Sequence, residues 1–331
     1  MDPTVSILAV REARQRIAPH VRHTPLVRST WLSKATGADV WLKLETLQPT
    51  SAFKVRGAFN AAMRLKEEQD RGGEDTAANG SGTALVTASA GNHGMALATA
   101  AKAAGLPCVV FTPADAPKVK LDKIAAAGAQ LFATSRNYDE AERAAKDYAA
   151  ATGGRFISPY THPDVIAGGG TVACELLEDA PALDVVVVPM GGGGLISGIG
   201  VALSGLAPGC RLVGVEAAAN AVFFGSRAAG RIVEIPVGPT IADGLGGNLE
   251  PGAVTFDYVQ RHVRDIVVVP EDAIRAAIGD LAAHDHLIVE GAAAVGVAAL
   301  ATNTVADLAG RTVAVVLTGA NIDRARLAAC L

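Results

Sequence analysis

Four short segments carry residues whose type and spacing could do chemistry. In Ser51-Ala52-Phe53-Lys54-Val55-Arg56-Gly57-Ala58 a lysine stands between two apolar side chains. Desolvation there lowers an amine's pKa and favours the neutral form, which is the form that condenses with a carbonyl. On these residues alone, a lysine at a helix start with its head in solvent is the commoner case. Ser89-Ala90-Gly91-Asn92-His93-Gly94 follows the apolar run Ala84–Thr87 and opens an alanine-rich segment. Backbone N–H groups at a helix start bind an anion such as a carboxylate, and Ser89 and Asn92 add side-chain donors. An ordinary capped turn reads as well, and His93 is taken as a structural histidine rather than a base.

The third segment, Gly191-Gly192-Gly193-Gly194-Leu195-Ile196-Ser197-Gly198, follows the apolar run Asp184–Pro189. Successive glycines let backbone N–H groups surround a phosphate at the next helix start. The run fits a dinucleotide fingerprint in part, and Glu216, just after the strand candidate Arg211–Val215, would then hold a ribose. That alternative stays open on the motif. The fourth segment, Leu317-Thr318-Gly319-Ala320-Asn321, ends the run Thr312–Leu317. A hydroxyl at the carboxyl end of a parallel strand lies where open α/β sheets bind ligands; the alternative is a simple turn.

The elements that must position these residues alternate along the chain. Further strand candidates are Val40–Leu44, Pro107–Phe111, Ala129–Ala133 and Ile266–Val269. Most are continuous apolar runs, as strands covered on both faces are. Helical spacing predicts helices over Val5–Ile17, Lys54–Leu65, Asn92–Ala104, Lys118–Ala127, Tyr138–Ala151, Val165–Leu177 and Asp272–Ala283. Gly105 and Gly128 follow two of them, where glycine most easily takes a left-handed cap. This alternation predicts an α/β fold with parallel sheets. The polar stretch Glu67–Thr83 reads as a solvated loop and a crossing point between domains.

Composition narrows the function classes. The 331 residues are 50% hydrophobic, with a formal net charge of −4, so no basic footprint for nucleic acid or an anionic membrane is present. No run is apolar enough to span a bilayer, and no secretory leader is read at Met1-Asp2-Pro3-Thr4. Cys108, Cys174, Cys210 and Cys330 are too far apart in sequence for a local metal or redox pair. A cytoplasmic setting is expected.

Taken together and in this order, the four segments resemble the fold-type II pyridoxal-phosphate enzymes of the threonine dehydratase and serine racemase group. The likeness extends through Lys43-Leu44-Glu45, Val165-Ile166-Ala167-Gly168, Thr240-Ile241-Ala242-Asp243-Gly244 and Val289-Glu290-Gly291-Ala292. It implies two open twisted, mostly parallel sheets with helices on both faces, as in tryptophan synthase beta. Residues 1–76 and 161–331 would form a large cofactor-binding domain, and residues 82–160 a small mobile one, with the cofactor between them.

By the same resemblance Lys54 holds pyridoxal 5'-phosphate as a Schiff base and later moves the substrate's Cα proton. Gly191, Gly192, Gly193, Gly194 and Leu195 hold the phosphate, and Asn92 the cofactor's 3-hydroxyl. Ser89, Ala90, Gly91, Asn92 and His93 line the substrate carboxylate pocket. Thr318 faces the pyridine nitrogen, Phe53 packs beside the ring, and Glu290 lies behind it. A threonine hydroxyl keeps the ring a weaker electron sink than a carboxylate would, which favours loss of a β-leaving group over transamination. Ala90 stands where racemases carry a second serine as base, so elimination is favoured over racemisation.

Other departures concern cations and the pocket. The group's divalent-cation site pairs a Glu with an Asp around a carbonyl. Here Glu216 and Asn220 match and Val222 replaces the Asp, so no tight metal is expected. His284-Asp285-His286 reads as a solvated helix end. Ser51 and Ala52 replace the group's usual glycine and serine before the Phe-Lys pair. Tyr160, Gly246 and Gly247 suggest room for an uncharged or aryl β-substituent. The leading expectation is a dehydratase releasing a 2-oxo acid and ammonia from a β-hydroxy-α-amino acid of the threonine, serine or aryl-serine type, acting as a homodimer. A β-replacement enzyme, a serine racemase, a non-catalytic amino-acid sensor and a nicotinamide-dependent oxidoreductase are the alternatives. The oxidoreductase leaves Lys54 and the Ser89–Gly94 segment without a task.

Overall fold

The computed structural model describes residues 5–71 and 83–331. Among the described residues, strands and helices alternate and the strands form two sheets. In chain order the strands are β1 (Leu26–Arg28), β2 (Asp39–Leu44), β3 (Leu85–Ala88), β4 (Cys108–Pro113), β5 (Gln130–Ser135), β6 (Arg155–Phe156), β7 (Val185–Pro189), β8 (Arg211–Ala217), β9 (Asp265–Val269) and β10 (Thr312–Leu317). The chain divides into two compact units. Met1–Val21 joins Lys54–Gly168 in one, and Arg22–Phe53 joins Gly169–Leu331 in the other.

The first unit holds the four-stranded sheet, ordered β5-β4-β3-β6 and parallel throughout. Side chains alternate across a strand, and the two faces are filled differently. Leu85 and Val110 pack with Ile17, Val55, Phe59 and Leu97 from the helices Ile7–Ile17, Lys54–Arg71 and Asn92–Ala104. Val86, Ala88, Val109 and Phe111 pack with Ala141, Ala145 and Ala149 of the helix Tyr138–Thr152. Asn137 caps that last helix by accepting the Glu140 N–H at 2.9 Å. From β3 the chain steps outward to β4 and β5, then returns to place β6 on the other side of β3. The carboxyl ends of β3 and β6 are therefore this sheet's switch point, where open α/β sheets bind ligands.

The second unit holds the six-stranded sheet, ordered β1-β2-β10-β7-β8-β9, parallel except for the β1–β2 pair. Its core runs through Val40, Val187, Val213, Val315 and the helix Gly291–Ala301. A Cβ on Gly296 would stand 2.8 Å from Val315 Cγ1, so only a bare backbone lets that helix lie on the sheet. The chain steps from β7 to β8 and β9 and returns to β10 on the other side of β7. The switch point here lies at the carboxyl ends of β7 and β10.

Several expectations are corrected. The Lys54 helix runs to Arg71 rather than Leu65, because Glu67 pairs with Arg16 at 2.9 Å and Lys66 with Asp70 at 3.1 Å. Residues 67–71 of the expected loop are thus helical, and residues 72–82 lie outside the described residues, as does the segment Met1-Asp2-Pro3-Thr4. The helix expected over Asp272–Ala283 is α-helical over Glu271–Asp280 and widens into a π-turn at Leu281–Asp285. The helices Ile7–Ile17 and Lys54–Arg71 group with the four-stranded sheet, since Ile17, Val55 and Phe59 share its core. The expected division had assigned both to the larger domain.

Candidate active site

The Lys54 side chain is set by its place at the first turn of the helix Lys54–Arg71. Gly57, one turn on, approaches Val165 so closely that a Cβ would fall 2.8 Å from its Cα. From there Lys54 Nζ donates to the Pro159 carbonyl at 2.8 Å, just beyond the end of β6. At the end of β3, Ser89 Oγ accepts the Gly91 N–H at 3.2 Å, and Gly91 caps the helix Asn92–Ala104 with no side chain of its own. A helix start capped by glycine keeps backbone donors for an anion. A Cβ on Gly94 would collide with the Ser89 carbonyl, so this turn closes because residue 94 is glycine.

His93 is turned inward. It is 2% exposed, and its Nε2 lies 3.2 Å from the Ile157 carbonyl. Burial pushes its pKa down to about 3, helped by the positive charge of Lys54. The neutral ring therefore carries its proton on Nε2, since a carbonyl can accept but not donate. Its Nδ1 is buried with no hydrogen-bond partner. The imidazole supports the end of β6 through the Ile157 carbonyl. Tyr160 is half-buried two residues beyond Ser158.

In the second unit the glycine run sits at the end of β7 and opens the helix Gly194–Leu206. Gly193 has φ +83°, and a Cβ there would stand 2.6 Å from Phe223 Cζ and 3.1 Å from Thr255 Cβ. A Cβ on Gly191 would stand 2.9 Å from Leu245 Cα. These two positions admit backbone alone, which leaves N–H groups at a helix start as the anion donors. Thr318 is buried at the end of β10, the neighbour of β7.

The segment before Lys54 is stitched to the Thr318 loop. Phe53 N–H donates to the Thr318 carbonyl, Ala320 N–H to the Ser51 carbonyl, and Asn321 Nδ2 to the Thr50 carbonyl, each at 2.9 Å. Glu290, buried, accepts the Asn321 N–H at 3.1 Å. Ser51, where the resembling group has glycine, takes φ +55° to make this passage. Gly247 has φ +116° and donates its N–H to Asn220 Oδ1 at 3.2 Å, with Gly246 beside the same side chain.

In the first unit the primary amine at the switch point, and in the second the side-chain-free helix start with a hydroxyl nearby, are each the kind of group that pyridoxal phosphate needs. A divalent cation does not fit at Glu216. Its two carboxylate oxygens accept the Phe223 and Phe224 N–H groups at 2.8 Å each, and Val222 is buried and apolar. Burial pushes the Glu216 carboxyl up to about 7 despite those two bonds. Among the described residues no group of three or more His, Cys, Asp or Glu is placed to hold a metal, the His284–His286 stretch included. All four cysteines are free, and burial pushes the Cys108 thiol up to about 12. No described helix is long and apolar enough to cross a membrane.

Sequence reasoning missed Thr87, Ser158 and the Pro159 carbonyl, which hold the end of β6. A Ser-Pro turn is visible as a turn, but a backbone acceptor leaves no signal in residue types. The 50–53 and 318–321 pairing was equally invisible, because isolated bridges carry no periodicity.

Known proteins bear on this geometry. The chain is 39% identical over 319 residues to an L-threonine ammonia-lyase of Thermotoga maritima, covering 96% of this chain and 76% of that one. It is 37% identical over 319 residues to an L-threo-3-hydroxyaspartate ammonia-lyase of Saccharomyces cerevisiae, covering 96% and 94%. Among solved structures, maize serine racemase superposes with a TM-score of 0.89 at 33% identity, over 98% of this chain and 96% of that one. The family model described as pyridoxal-phosphate dependent enzyme matches residues 17–319, a span that takes in the lysine, the glycine run and the hydroxyl alike, and the chain belongs to that family.

Proposed function

We propose that this enzyme is an ammonia-lyase that removes the β-hydroxyl of a β-hydroxy-α-amino acid and releases a 2-oxo acid and ammonia. The observation that carries the reading is the Lys54 amine held 2.8 Å from the Pro159 carbonyl at a sheet switch point. Names among the relatives, threonine and hydroxyaspartate ammonia-lyases, support it. When bound, pyridoxal phosphate supplies an electrophilic carbon and an electron sink beside the substrate's Cα.

Lys54 would be the amine that holds this group and, when free of it, the base that takes the substrate's Cα proton. Gly191–Gly194 and Leu195 would hold the phosphate through backbone N–H groups. Ser89, Gly91, Asn92 and the His93 backbone would hold the substrate carboxylate, and Asn92 would also serve the cofactor's 3-hydroxyl. Thr318 would serve the ring nitrogen and Phe53 the side of the ring, and Glu290 braces the Thr318 loop through the Asn321 N–H. Tyr160, Gly246 and Gly247 border the β-substituent. Ala90 offers no second base, so a proton taken by Lys54 cannot be returned from the opposite side by that residue, and racemisation is disfavoured. A homodimer and a cytoplasmic location complete the reading; light scattering and cell fractionation test them.

The deciding experiment measures 2-oxo-acid release from L-threonine, L-serine, L-phenylserine and L-hydroxyaspartate. Release from one of them, abolished in Lys54→Ala, is the expected result. Silence across the panel, with pyridoxal phosphate bound, would sink the lyase and favour β-replacement or sensing. Interconversion of L- and D-serine without ammonia would favour a racemase instead.

A further inference from the structure

Two peptide planes at the end of β6, those of residues 157–158 and 159–160, are pinned by side chains to which the reaction above gives no task. The Ile157 carbonyl accepts His93 Nε2–H at 3.2 Å and the Thr87 hydroxyl at 2.8 Å. Farther along, the Tyr160 N–H points at Ser158 Oγ at 3.4 Å, and the Thr161 N–H and hydroxyl donate to it at 3.2 and 2.8 Å. A peptide unit is planar, so fixing its N–H end fixes the direction of its C=O end. The Pro159 carbonyl shares a peptide unit with the Tyr160 N–H, and the proline ring restrains φ on its other side. That carbonyl is the one that accepts Lys54 Nζ–H at 2.8 Å. Ser158 itself is buried, where a hydroxyl is stable when it is hydrogen-bonded.

We infer that Ser158 is a positioning residue, aiming the Pro159 carbonyl so that it seats the Lys54 amine whenever that amine is not bonded to the cofactor. The inference rests on the reading of Lys54 as the reacting amine. A neutral amine that donates one N–H to a fixed carbonyl has its lone pair turned away from that oxygen. The carbonyl cannot take a proton from the amine, so the seat orients Lys54 without consuming its basicity. When Lys54 takes the Cα proton it becomes an ammonium, and its bond to the carbonyl strengthens because the donor is now charged. A lysine side chain is rich in rotamer entropy, and a seat built beforehand removes most of that ordering cost from the proton-transfer step.

The test compares the wild type with Ser158→Ala, with Thr161→Val and with the conservative Ser158→Thr. Two readouts are used. One is the rate at which apoenzyme develops visible absorbance on adding pyridoxal phosphate. The other is the isotope effect on kcat with Cα-deuterated substrate, read with KM. In Ser158→Ala the absorbance should develop about tenfold more slowly, and the isotope effect on kcat should rise, with KM within about twofold of wild type. Thr161→Val should change both in the same direction and by less, and Ser158→Thr should stay near wild type. Wild-type rates and isotope effects in both Ser158→Ala and Thr161→Val would overturn the seat. So would a lower melting temperature and cofactor content with an unchanged isotope effect, which would make Ser158 a packing residue. A wild-type protein that develops no visible absorbance would instead remove the reading of Lys54, so the two failures are distinguishable.

Discussion

The two switch points are built by opposite means. At the ends of β3 and β6 the arrangement depends on side chains that reach backbone: His93 and Thr87 on Ile157, and Lys54 on Pro159. At the ends of β7 and β10 it depends on side chains being absent, with Gly191 and Gly193 leaving no room for a Cβ. On the proposed reading, the difference follows from what each would hold. A single amine on a long flexible stem has to be brought to one point, whereas a phosphate is best met by several short, rigid N–H donors.

Two substitutions should separate these tasks. Lys54→Ala should lower turnover by ~10³-fold or more, while pyridoxal phosphate still binds without its visible band, as equilibrium dialysis would register. Gly193→Ala should do the reverse. A Cβ at φ +83° that meets Phe223 and Thr255 should weaken cofactor binding by about tenfold or more, with the Lys54 helix intact by circular dichroism. Equal loss of binding in both variants would break the comparison.

A smaller effect separates the regions by pH. His93 has its pKa lowered from 6.5 to about 3 in the folded protein. The unfolded chain takes up that proton below 6.5 and the folded one does not, so stability is lost as pH falls from 6.5 toward 3. Glu216 has its pKa raised from 4.5 to about 7. The folded protein keeps a proton that the unfolded chain releases, so this contribution is lost as pH rises from 4.5 to 7. Each slope is worth on the order of a few kcal/mol. Urea unfolding across this range should show His93→Asn flattening the acid limb and Glu216→Gln the other. The smallest change expected is in Ser51→Gly, which relieves φ +55° and should shift stability by no more than about 1 kcal/mol; thermal melting checks it.

Much of the fold was legible. The run Thr312–Leu317 and the helix Asn92–Ala104 match their expected bounds, because continuous apolar runs and glycine-capped alanine helices are local signals. β1 and β6, of three and two residues, are too short for a period to show. The helix Gly291–Ala301 is apolar on all sides and has no stripe to detect. The expected loop from Glu67 failed over its first five residues because ion pairs, one of them to Arg16 some fifty residues away, extend the helix.

At the site, the order of Lys54, Ser89–Gly94, Gly191–Gly194 and Thr318 could be read from residue types, since an amine, a glycine run and a hydroxyl declare their chemistry wherever they stand. The order of the strands could not. That β4 and β6 take opposite sides of β3, and that β10 returns beside β7, is decided by long-range pairing, and that order makes the carboxyl ends of β3 and β6 the switch point of one sheet and those of β7 and β10 the switch point of the other. The Pro159 carbonyl belongs to the same class. Every residue has a carbonyl, and only tertiary structure, through Ser158, Thr161 and the direction of one peptide plane, decides which of them meets Lys54.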